Sequence, residues 1–241
     1  MSARGVLCTI CARGGSRGVV NKNLAIIKGK PLIAHTVTQA VKSGLYEKVV
    51  ISTDSKEIGR VAENHGGEYF FERPPELATD TSPKIPVIRN ALRMSEQHFG
   101  RRFDTIVDLD ATSPLRNEMD LRNSLEAFRK NDYDTLITAA VARRSPYFNL
   151  VEIDGTGKVV LSKSGGITVV RRQDVPEAYD MNASIYIWKR ETLIESDSLF
   201  GERTGLYVMP PERSLDIDSE LDLRIVRFLM ESDVSSGNEC A

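Results

Sequence analysis

A glycine-rich stretch near the start of the chain, CARGGSRGVVNKN, combines residue types that bind phosphate groups. It follows an apolar run at residues 6–10 that is typical of a strand. Glycines let main-chain N–H groups approach an anion closely, and basic side chains offset its charge. The polar residues of the stretch are Arg13, Ser16, Arg17, Asn21, Lys22 and Asn23. We therefore predict a loop that binds several phosphate groups, whereas the glycines alone would favour an ordinary surface turn.

This loop differs from the two best-known phosphate-binding motifs. It has no GxxxxGK[ST] sequence, and its glycines do not have the GxGxxG spacing of dinucleotide-binding enzymes. These differences argue against a standard ATPase and against a Rossmann dehydrogenase.

An acidic pair near the end of the chain, Asp216 and Asp218, is suited to a divalent cation. In extended backbone, residues two apart point the same way, so both carboxylates could face one Mg²⁺ ion that also binds water and phosphate oxygens. The alternative is that Asp218 or Ser219 caps the helix that follows. We favour the metal site because the phosphate loop is expected in the same crevice.

A second acidic pair, Asp108 and Asp110, ends a strand that should be central in the sheet. Three roles fit Asp110: capping a turn, holding a second metal ion and contacting the substrate. Arg73 begins a proline-rich loop, RPPELATDTSPK, and fits either a hydrogen bond to a base or sugar or an ordinary surface arginine.

Length and composition indicate one α/β domain with a small appendage, since the chain has 241 residues and 41% of them are hydrophobic. The formal charge of −2 argues against general nucleic-acid binding. Three cysteines, an odd number, argue against a disulfide framework and indicate a reducing compartment. The sequence has neither a signal-peptide pattern nor an apolar run of membrane-spanning length, so we expect a cytoplasmic protein without membrane contact.

Alternating strand and helix patterns predict βαβ units and a mainly parallel sheet. The predicted strands are residues 5–12, 48–52, 68–71, 103–109, 135–141, 181–188 and 206–209, and the predicted helices are residues 31–43, 56–64, 85–99, 118–130 and 219–231. In such a sheet, ligands bind beyond the carboxyl ends of the strands. The phosphate loop, Thr53-Asp54 and residues 110–116 all follow strand ends, so we expect them to line one crevice.

Residues 143–179 differ in character, because glycines and prolines separate short β-like pieces. We interpret them as a β-rich insertion into an α/β domain formed by residues 1–142 and 180–232. Residues 233–241 are small and polar, and we expect a flexible tail there.

Four stretches, taken together and in order, resemble the CMP-sialic acid synthetase (acylneuraminate cytidylyltransferase) family. They are ARGGSRGVVNKN, RPPELATDT, TSPLR and DIDSELDL, and the resemblance extends over residues 6–228. It implies a Rossmann-like three-layer α/β sandwich that transfers the cytidylyl group of CTP to an acidic nine-carbon sugar with the help of Mg²⁺, releasing pyrophosphate. The family commonly dimerises through a small domain inserted late in the sheet. Residues 143–179 fit that place, so the resemblance implies a homodimer.

The resemblance also implies a role for each motif residue. By motif position, the CTP phosphates should be contacted by Arg13, Ser16, Arg17 and Lys22, and Asn23 should lie near the ribose or α-phosphate. Cytosine should be recognised by Arg73 and by residues 78–82, which include Ser82. Mg²⁺ should be held by Asp216 and Asp218. Arg13, Lys22, Asp216 and Asp218 are the residues expected to carry catalysis.

Two departures from the family pattern concern the sugar side of the site. Asp110-Ala111 stand where sialic acid enzymes typically have glutamine and proline, and the run from Asp180 to Ala183 reads DMNA in place of arginine-proline-asparagine-glycine. We therefore predict that Asp110 and Asn182 contact the acceptor. The pattern favours legionaminic or pseudaminic acid over N-acetylneuraminic acid.

The expected reaction is attack of the sugar's anomeric 2-hydroxyl on the α-phosphorus of CTP, which depends mostly on positioning and charge neutralisation. Asp218, Asp110 or a metal-bound hydroxide would accept the proton. Two other functions stay open at the level of sequence. One is nucleotidyl transfer to another acceptor, such as Kdo or a sugar or polyol phosphate, and the other is a non-catalytic nucleotide sensor.

Overall fold

A computed structural model describes residues 5–16, 18–163 and 175–232 of the chain. Its main sheet contains six strands: β1 (Val6–Cys11), β4 (Lys48–Ser52), β5 (Thr105–Leu109), β6 (Thr135–Val141), β9 (Tyr179–Lys189) and β10 (Thr204–Val208). The remaining strands form two hairpins, β2 (Ile26–Ile27) with β3 (Lys30–Pro31), and β7 (Val151–Ile153) with β8 (Val159–Leu161). The helices are α1 (Leu32–Ser43), α2 (Lys56–Glu63), α3 (Lys84–Phe99), α4 (Glu118–Lys130), α5 (Arg190–Glu195) and α6 (Glu220–Ser232).

The strand order of the main sheet is β10-β6-β9-β5-β1-β4. Only β9 among these strands runs antiparallel to its neighbours, β5 and β6, and all other pairs are parallel. The prediction of a mainly parallel sheet is therefore confirmed. Because β1, β4 and β5 are adjacent and parallel, the loops that follow them meet at one edge of the sheet.

Alternation of side chains along the strands produces two hydrophobic layers, one on each face of the sheet. On one face, Val6, Cys8 and Ile10 of β1 pack with buried residues of α1, α2 and α4. On the other face, Leu7 of β1 and Trp188 of β9 pack with α3 and α5. Helices thus cover both faces, as the three-layer expectation requires, and a strand buried on both faces explains why β1 is nearly continuously apolar.

The predicted strand at residues 68–71 is wrong. Only Glu68 pairs with β4, through a single bridge to Val50. The chain then leaves the sheet edge, because Phe70 and Phe71 pack against the α3 side of the core. The short elements β2, β3 and α5 were not predicted, since a two-residue strand or a six-residue helix carries too little periodicity to detect.

The predicted β-rich insertion contains one described element, the hairpin of β7 and β8, whose three-residue strands are fully exposed. Residues 164–174 of the insertion and the predicted tail at 233–241 lie outside the described residues. Within the described ranges, no helix combines the length and apolarity needed to cross a membrane.

A β-bulge interrupts the pairing of β9 with β6, where the register shifts between Ile137 and Ala139. Ala183 has a positive φ of 50° at this point. Thr138 fills the gap in the ladder, because its hydroxyl donates to Asn182 Oδ1 at 2.7 Å and accepts from the Ile185 N–H at 3.0 Å. The bulge bends β9 just beside the edge of the sheet where the strand-end loops meet.

Arg116 fixes the loop after β5 to this bulge. Its guanidinium is 1% exposed and donates to the carbonyl oxygens of Ser184 (3.0 Å) and Asp110 (2.8 Å) and to the Thr36 hydroxyl (2.7 Å). One side chain therefore joins β9, the β5 loop and α1. The sequence motif TSPLR ends in this arginine, which is structural and lies beneath the surface.

We expect Arg116→Met to lower the free energy of unfolding by about 3 kcal/mol or more, because several buried acceptors lose their donor. Arg122→Met is the matched control, since Arg122 is a partly exposed arginine whose ion pair in the described part of the chain is with Glu118, one helical turn away, and its loss should change stability by about 0.5 kcal/mol or less. Urea unfolding of both variants measures this. Equal effects of the two substitutions would contradict the anchoring role of Arg116.

Candidate active site

A crevice of about 360 Å³ opens at the edge of the sheet where β1, β4 and β5 end. It brings together eight of the residues predicted from sequence. These are Arg13, Ser16, Lys22, Asn23, Arg73, Ser82, Asp110 and Asp218. Arg17 lies outside the described residues, and Asp216 and Asn182 are near the crevice without lining it.

The glycines of the phosphate loop have distinct positions. Gly14 donates its N–H to Asp54 Oδ1 at 2.8 Å, which braces the loop from behind. A Cβ at Gly15 would meet open space, so the main chain there is accessible to a ligand. A Cβ at Gly18 would lie 1.9 Å from the carbonyl oxygen of Asp218, so only glycine lets the loop approach the acidic segment this closely.

The expectation that Thr53-Asp54 line the same crevice is wrong. Thr53 is completely buried, and one carboxylate oxygen of Asp54 accepts a hydrogen bond from Gly14 of the phosphate loop. Asp54 lines instead a neighbouring recess on the other side of Arg73. The segment after β4 thus supports the phosphate loop from outside the crevice.

Both basic residues of the loop that the structure describes contact carboxylates across the crevice. Lys22 donates to the carbonyl oxygen of Ile217 and lies 3.1 Å from Asp218 Oδ1. Arg13 pairs with Asp80 in the proline-rich loop. These pairs bring the phosphate loop against both the acidic segment and the proline-rich loop, so a polyphosphate entering the crevice would compete with Asp80 and Asp218 for the two cations.

Asn23 is buried beneath the phosphate loop. Its Nδ2 donates to the Arg13 carbonyl oxygen at 3.0 Å, which shapes the loop. Its Oδ1 has no hydrogen-bond partner among the described residues, although Asn23 is only 5% exposed and lines the crevice. A buried acceptor without a donor is costly, so this oxygen is suited to a hydroxyl group of a ligand.

Arg73 is not the ordinary surface arginine that was the alternative, because it is 5% exposed. Its Nε donates to the Ser52 hydroxyl at 3.1 Å and its Nη2 to the Ser52 carbonyl oxygen, so the side chain is held at the end of β4. Ser82 holds the proline-rich loop in shape, since its hydroxyl donates to the Glu76 carbonyl oxygen at 3.1 Å and accepts from the Thr79 N–H at 3.1 Å.

The acidic segment resolves the question of which residue caps α6. The Ser219 N–H donates to Asp222 Oδ2 at 2.8 Å, and the Asp222 N–H donates to the Ser219 hydroxyl at 3.3 Å, which is a capping box. Asp218 and Asp216 are therefore not the helix cap. The residue between them, Ile217, is fully buried, so the two carboxylates lie on the opposite side of the segment from the core.

The two carboxylates are suited to a divalent cation. Burial raises the pKa of Asp216, and the neighbouring charge of Asp218 raises it further, which means that the two negative charges repel each other. A cation between them would relieve that repulsion. In the described part of the chain, no group of three or more potential metal-ligating side chains occurs. The pair thus fits Mg²⁺, which takes one or two protein carboxylates and completes its shell with phosphate and water oxygens.

Asp110 forms a turn and an ion pair together. Its Oδ1 accepts from the N–H and the hydroxyl of Thr112, at 3.1 and 2.9 Å, and its Oδ2 lies 3.0 Å from the Lys84 ammonium. Burial alone would raise the pKa of Asp110, but Lys84 and Thr112 lower it to about 2. Such a carboxylate is a weak proton acceptor, so the structure argues against Asp110 as the general base.

Lys84 was not predicted as a site residue. Its ammonium lies between Asp108 Oδ2 (3.2 Å) and Asp110 Oδ2 (3.0 Å) and sits 4.3 Å from the centre of the Tyr186 ring. Burial opposes its charge, but Asp110 and Asp108 raise its pKa, so it stays protonated. The Lys84 ammonium therefore occupies the position between Asp108 and Asp110 where a second metal ion was one of the roles considered from the sequence. A lysine in the first turn of a helix, where the dipole disfavours a cation, was the available signal.

Asn182 was predicted to contact the acceptor, but it is 4% exposed and its side chain is occupied within the protein. Its Oδ1 accepts from Thr138, and its Nδ2 donates to the Ser214 hydroxyl at 3.0 Å. It stabilises the bulge of β9 and the segment before Asp216. Its location therefore does not support direct contact with a ligand.

Comparison with known proteins agrees with this geometry. The family model for cytidylyltransferases matches residues 7–224. A post-translational flagellin modification protein B from Campylobacter coli is 54% identical over 226 residues, covering 94% of this chain and 95% of that protein. A CMP-N,N′-diacetyllegionaminic acid synthase from Campylobacter jejuni is 54% identical over 225 residues, covering 93% and 94%. The solved structure of CMP:2-keto-3-deoxy-manno-octonic acid synthetase with CTP shares the fold, with a TM-score of 0.69, 18% identity and coverage of 95% and 99%.

Proposed function

Since this chain belongs to the cytidylyltransferase family, we propose that it couples CTP to the anomeric 2-hydroxyl of a nonulosonic acid, giving a CMP-sugar and pyrophosphate. The observation that carries the proposal is the contact between the phosphate loop and the acidic segment. Lys22 meets Asp218 directly, and Gly18 lets the two backbones touch. This contact supports the proposal because cations suited to a polyphosphate lie beside the Asp218 carboxylate in one crevice.

The described residues divide the work of the reaction. Arg13, Lys22 and the main-chain N–H groups around Gly15 bind the β- and γ-phosphates and stabilise the pyrophosphate as it leaves. Arg73 and the proline-rich loop hold the base, and the unpaired Oδ1 of Asn23 accepts from a ribose hydroxyl. These contacts fix the α-phosphate in line with the attacking hydroxyl, which lowers the entropic cost of reaction.

We further propose Mg²⁺ as the cofactor, held by Asp216 and Asp218. When bound, it supplies Lewis-acid polarisation of the α-phosphate. Without a ligand, Lys22 pairs with Asp218. A bound triphosphate would replace Asp218 as the partner of Lys22 and leave the Asp218 carboxylate to the metal ion. Because Ser219 and Asp222 cap α6, the carboxylates of Asp216 and Asp218 are not needed for capping. A non-catalytic sensor would not need this pair, so catalysis is the better explanation of both residues.

The acceptor proposed here is a 5,7-diamino nonulosonic acid of the legionaminic type. The synthase from Campylobacter jejuni, named for N,N′-diacetyllegionaminic acid, is 54% identical to this chain along nearly its full length. Asp110 also lines the crevice at the place where the resemblance gives sialic acid enzymes a glutamine. Pseudaminic acid is the alternative within this class.

A cytoplasmic location follows for this proposal, because Cys8 and Cys11 are free thiols and CTP is an intracellular substrate.

Pyrophosphate release by the purified protein tests the proposed function. We expect turnover with CTP and N,N′-diacetyllegionaminic acid, and at least about tenfold lower kcat/KM with N-acetylneuraminic acid or Kdo, because a mismatched hydrogen-bonding group in a pocket costs a tenfold factor or more. ATP, GTP and UTP with the same acceptor are the controls. Turnover confined to Kdo or to a sugar phosphate would replace the acceptor class, and CTP binding without any turnover would favour a sensor.

We expect Asp218→Asn to lower kcat about 100-fold or more and to abolish the dependence of the rate on Mg²⁺ concentration, because one of two metal ligands loses its charge. Asp197→Asn is the control, since Asp197 is an exposed carboxylate whose ion pair, among the described residues, is with Arg89. Steady-state rates across a magnesium titration measure the effect. A rate of Asp218→Asn close to that of the control would remove the metal assignment.

We also propose a homodimer formed by a second copy of this chain. Exposed apolar side chains gather on the free edge strand β10, on the β7–β8 hairpin and on the segment before β10, where Phe200 and Ile153 are 63% and 75% exposed. Tyr179, Met181, Phe200 and Leu206 line a recess of about 460 Å³ beside β10. An uncovered edge strand beside apolar side chains is suited to pairing with another chain.

The double substitution Ile153→Glu with Phe200→Glu should convert the dimer to a monomer at micromolar concentration, because four charges would be buried in a two-fold interface. Met119→Glu is the control, since Met119 is equally apolar and 65% exposed but lies on α4, away from the recess. Sedimentation velocity measures the mass. A monomeric wild-type protein, or a double variant that remains dimeric, would contradict the proposed surface.

A further inference from the structure

The pair of Lys84 and Asp110 lies at one end of the crevice, and its position across the sheet assigns it to the acceptor. Arg73 is anchored at the end of β4, the phosphate loop follows β1, and Asp110 follows β5. These three strands are neighbours in that order, so each step across the edge is about 5 Å. If the base lies at β4 and the phosphates at β1, the acceptor reaches the α-phosphate from the side of β5 and β9.

Asp110 has hydrogen-bonding capacity left for a ligand. A carboxylate accepts about four hydrogen bonds. Within the described chain, Asp110 accepts three, two from Thr112 and one from Lys84. Its side chain is 24% exposed and lines the crevice, so the remaining position is open to a ligand.

Lys84 is the reason that Asp110 is ionised and fixed. Asp108 lies in β5, two residues before Asp110, and is completely buried. Its Oδ1 already accepts from the Thr9 hydroxyl at 2.7 Å. Asp108 Oδ2 lacks a hydrogen bond of good geometry, although the Lys84 ammonium lies 3.2 Å away, so this contact is electrostatic. Without that ammonium, two carboxylates would share a small buried volume, and one of them would protonate or move.

We infer that Lys84 is a positioning residue that holds Asp110 as a fixed acceptor for an N–H or O–H donor on the acceptor sugar. The inference rests on the proposed function and adds to it the residues that select the acceptor. Ionised Asp110 can only accept hydrogen bonds. A second carboxylate, such as that of an acidic sugar, has no proton to donate to it, so a neutral donor such as an acetamido N–H or a hydroxyl group faces Asp110. The pair thus orients the sugar as well as binding it.

The test compares Michaelis constants for the two substrates separately, with N,N′-diacetyllegionaminic acid as the acceptor. Asp110→Asn should raise the acceptor KM about tenfold or more, because a charge-assisted hydrogen bond is lost, and should leave the CTP KM within about twofold. Lys84→Met should raise the acceptor KM to a similar extent, and Lys84→Arg, which keeps the charge, should stay within about threefold of wild type. Lys42→Met, an exposed lysine on α1, is the control.

The double variant Lys84→Met with Asp110→Asn distinguishes positioning from direct contact. If Lys84 acts through Asp110, the double variant should be no worse than the more impaired single variant. Multiplicative effects would overturn the positioning role, and an unchanged acceptor KM in Asp110→Asn would overturn the inference as a whole. Calorimetric measurement of CTP binding checks that the crevice of each variant is folded. If Lys84→Met does not fold, the single variants Asp110→Asn and Lys84→Arg still test the inference.

The outcomes also separate this inference from the proposed function. Absence of wild-type turnover with every nonulosonic acid would remove the function and the inference together. Normal wild-type turnover with equal acceptor KM in all variants would leave the function standing and overturn the inference alone.

Discussion

The buried guanidinium of Arg116 is the constraint on which the crevice depends. It binds carbonyl oxygens at the end of β5 and in the bulge of β9, and a hydroxyl on α1, all without exposure to solvent. Both Nη atoms of this buried cation have acceptors, whereas its Nε has none among the described residues, and losing the Nη partners would be costly, so these three elements can adopt few other arrangements. The backbone of Asp110 is one of its partners, which places that carboxylate at the crevice. The position of the acceptor end is therefore a consequence of packing beneath it.

Opposite charges organise the rest of the crevice. Three of the described cations that line it contact carboxylates: Arg13 with Asp80, Lys22 with Asp218, and Lys84 with Asp108 and Asp110. The first two pairs are partly exposed and link separate loops, so the phosphates of a nucleotide can replace the carboxylates at small cost. The third holds its geometry because Lys84 contacts two carboxylates at once, and one of them, Asp108, is completely buried. In the proposed function, the exchangeable pairs belong to the nucleotide and the fixed pair to the acceptor.

Backbone proximity accounts for the shape of the nucleotide half. Gly18 allows the phosphate loop to touch the carbonyl of Asp218, and the capping box of Ser219 with Asp222 leaves the carboxylates of Asp216 and Asp218 free. The buried Ile217 fixes the direction in which both carboxylates point. The pair proposed to bind Mg²⁺ is thereby positioned by one apolar side chain, one glycine and a helix cap.

The sequence by itself determined the elements and the motifs. Strands β4 and β6 and helix α4 have the predicted bounds, because the apolar pattern of each continues over its whole length. The phosphate loop and the Asp216–Asp218 pair were also predicted, since their residues are neighbours in the chain. Only the tertiary structure decided that Lys84 joins Asp108 and Asp110, that Asp54 braces the phosphate loop and that Asn182 is occupied within the bulge. These contacts join residues that are distant in sequence, and a side chain's charge and partners depend on what packing brings beside it.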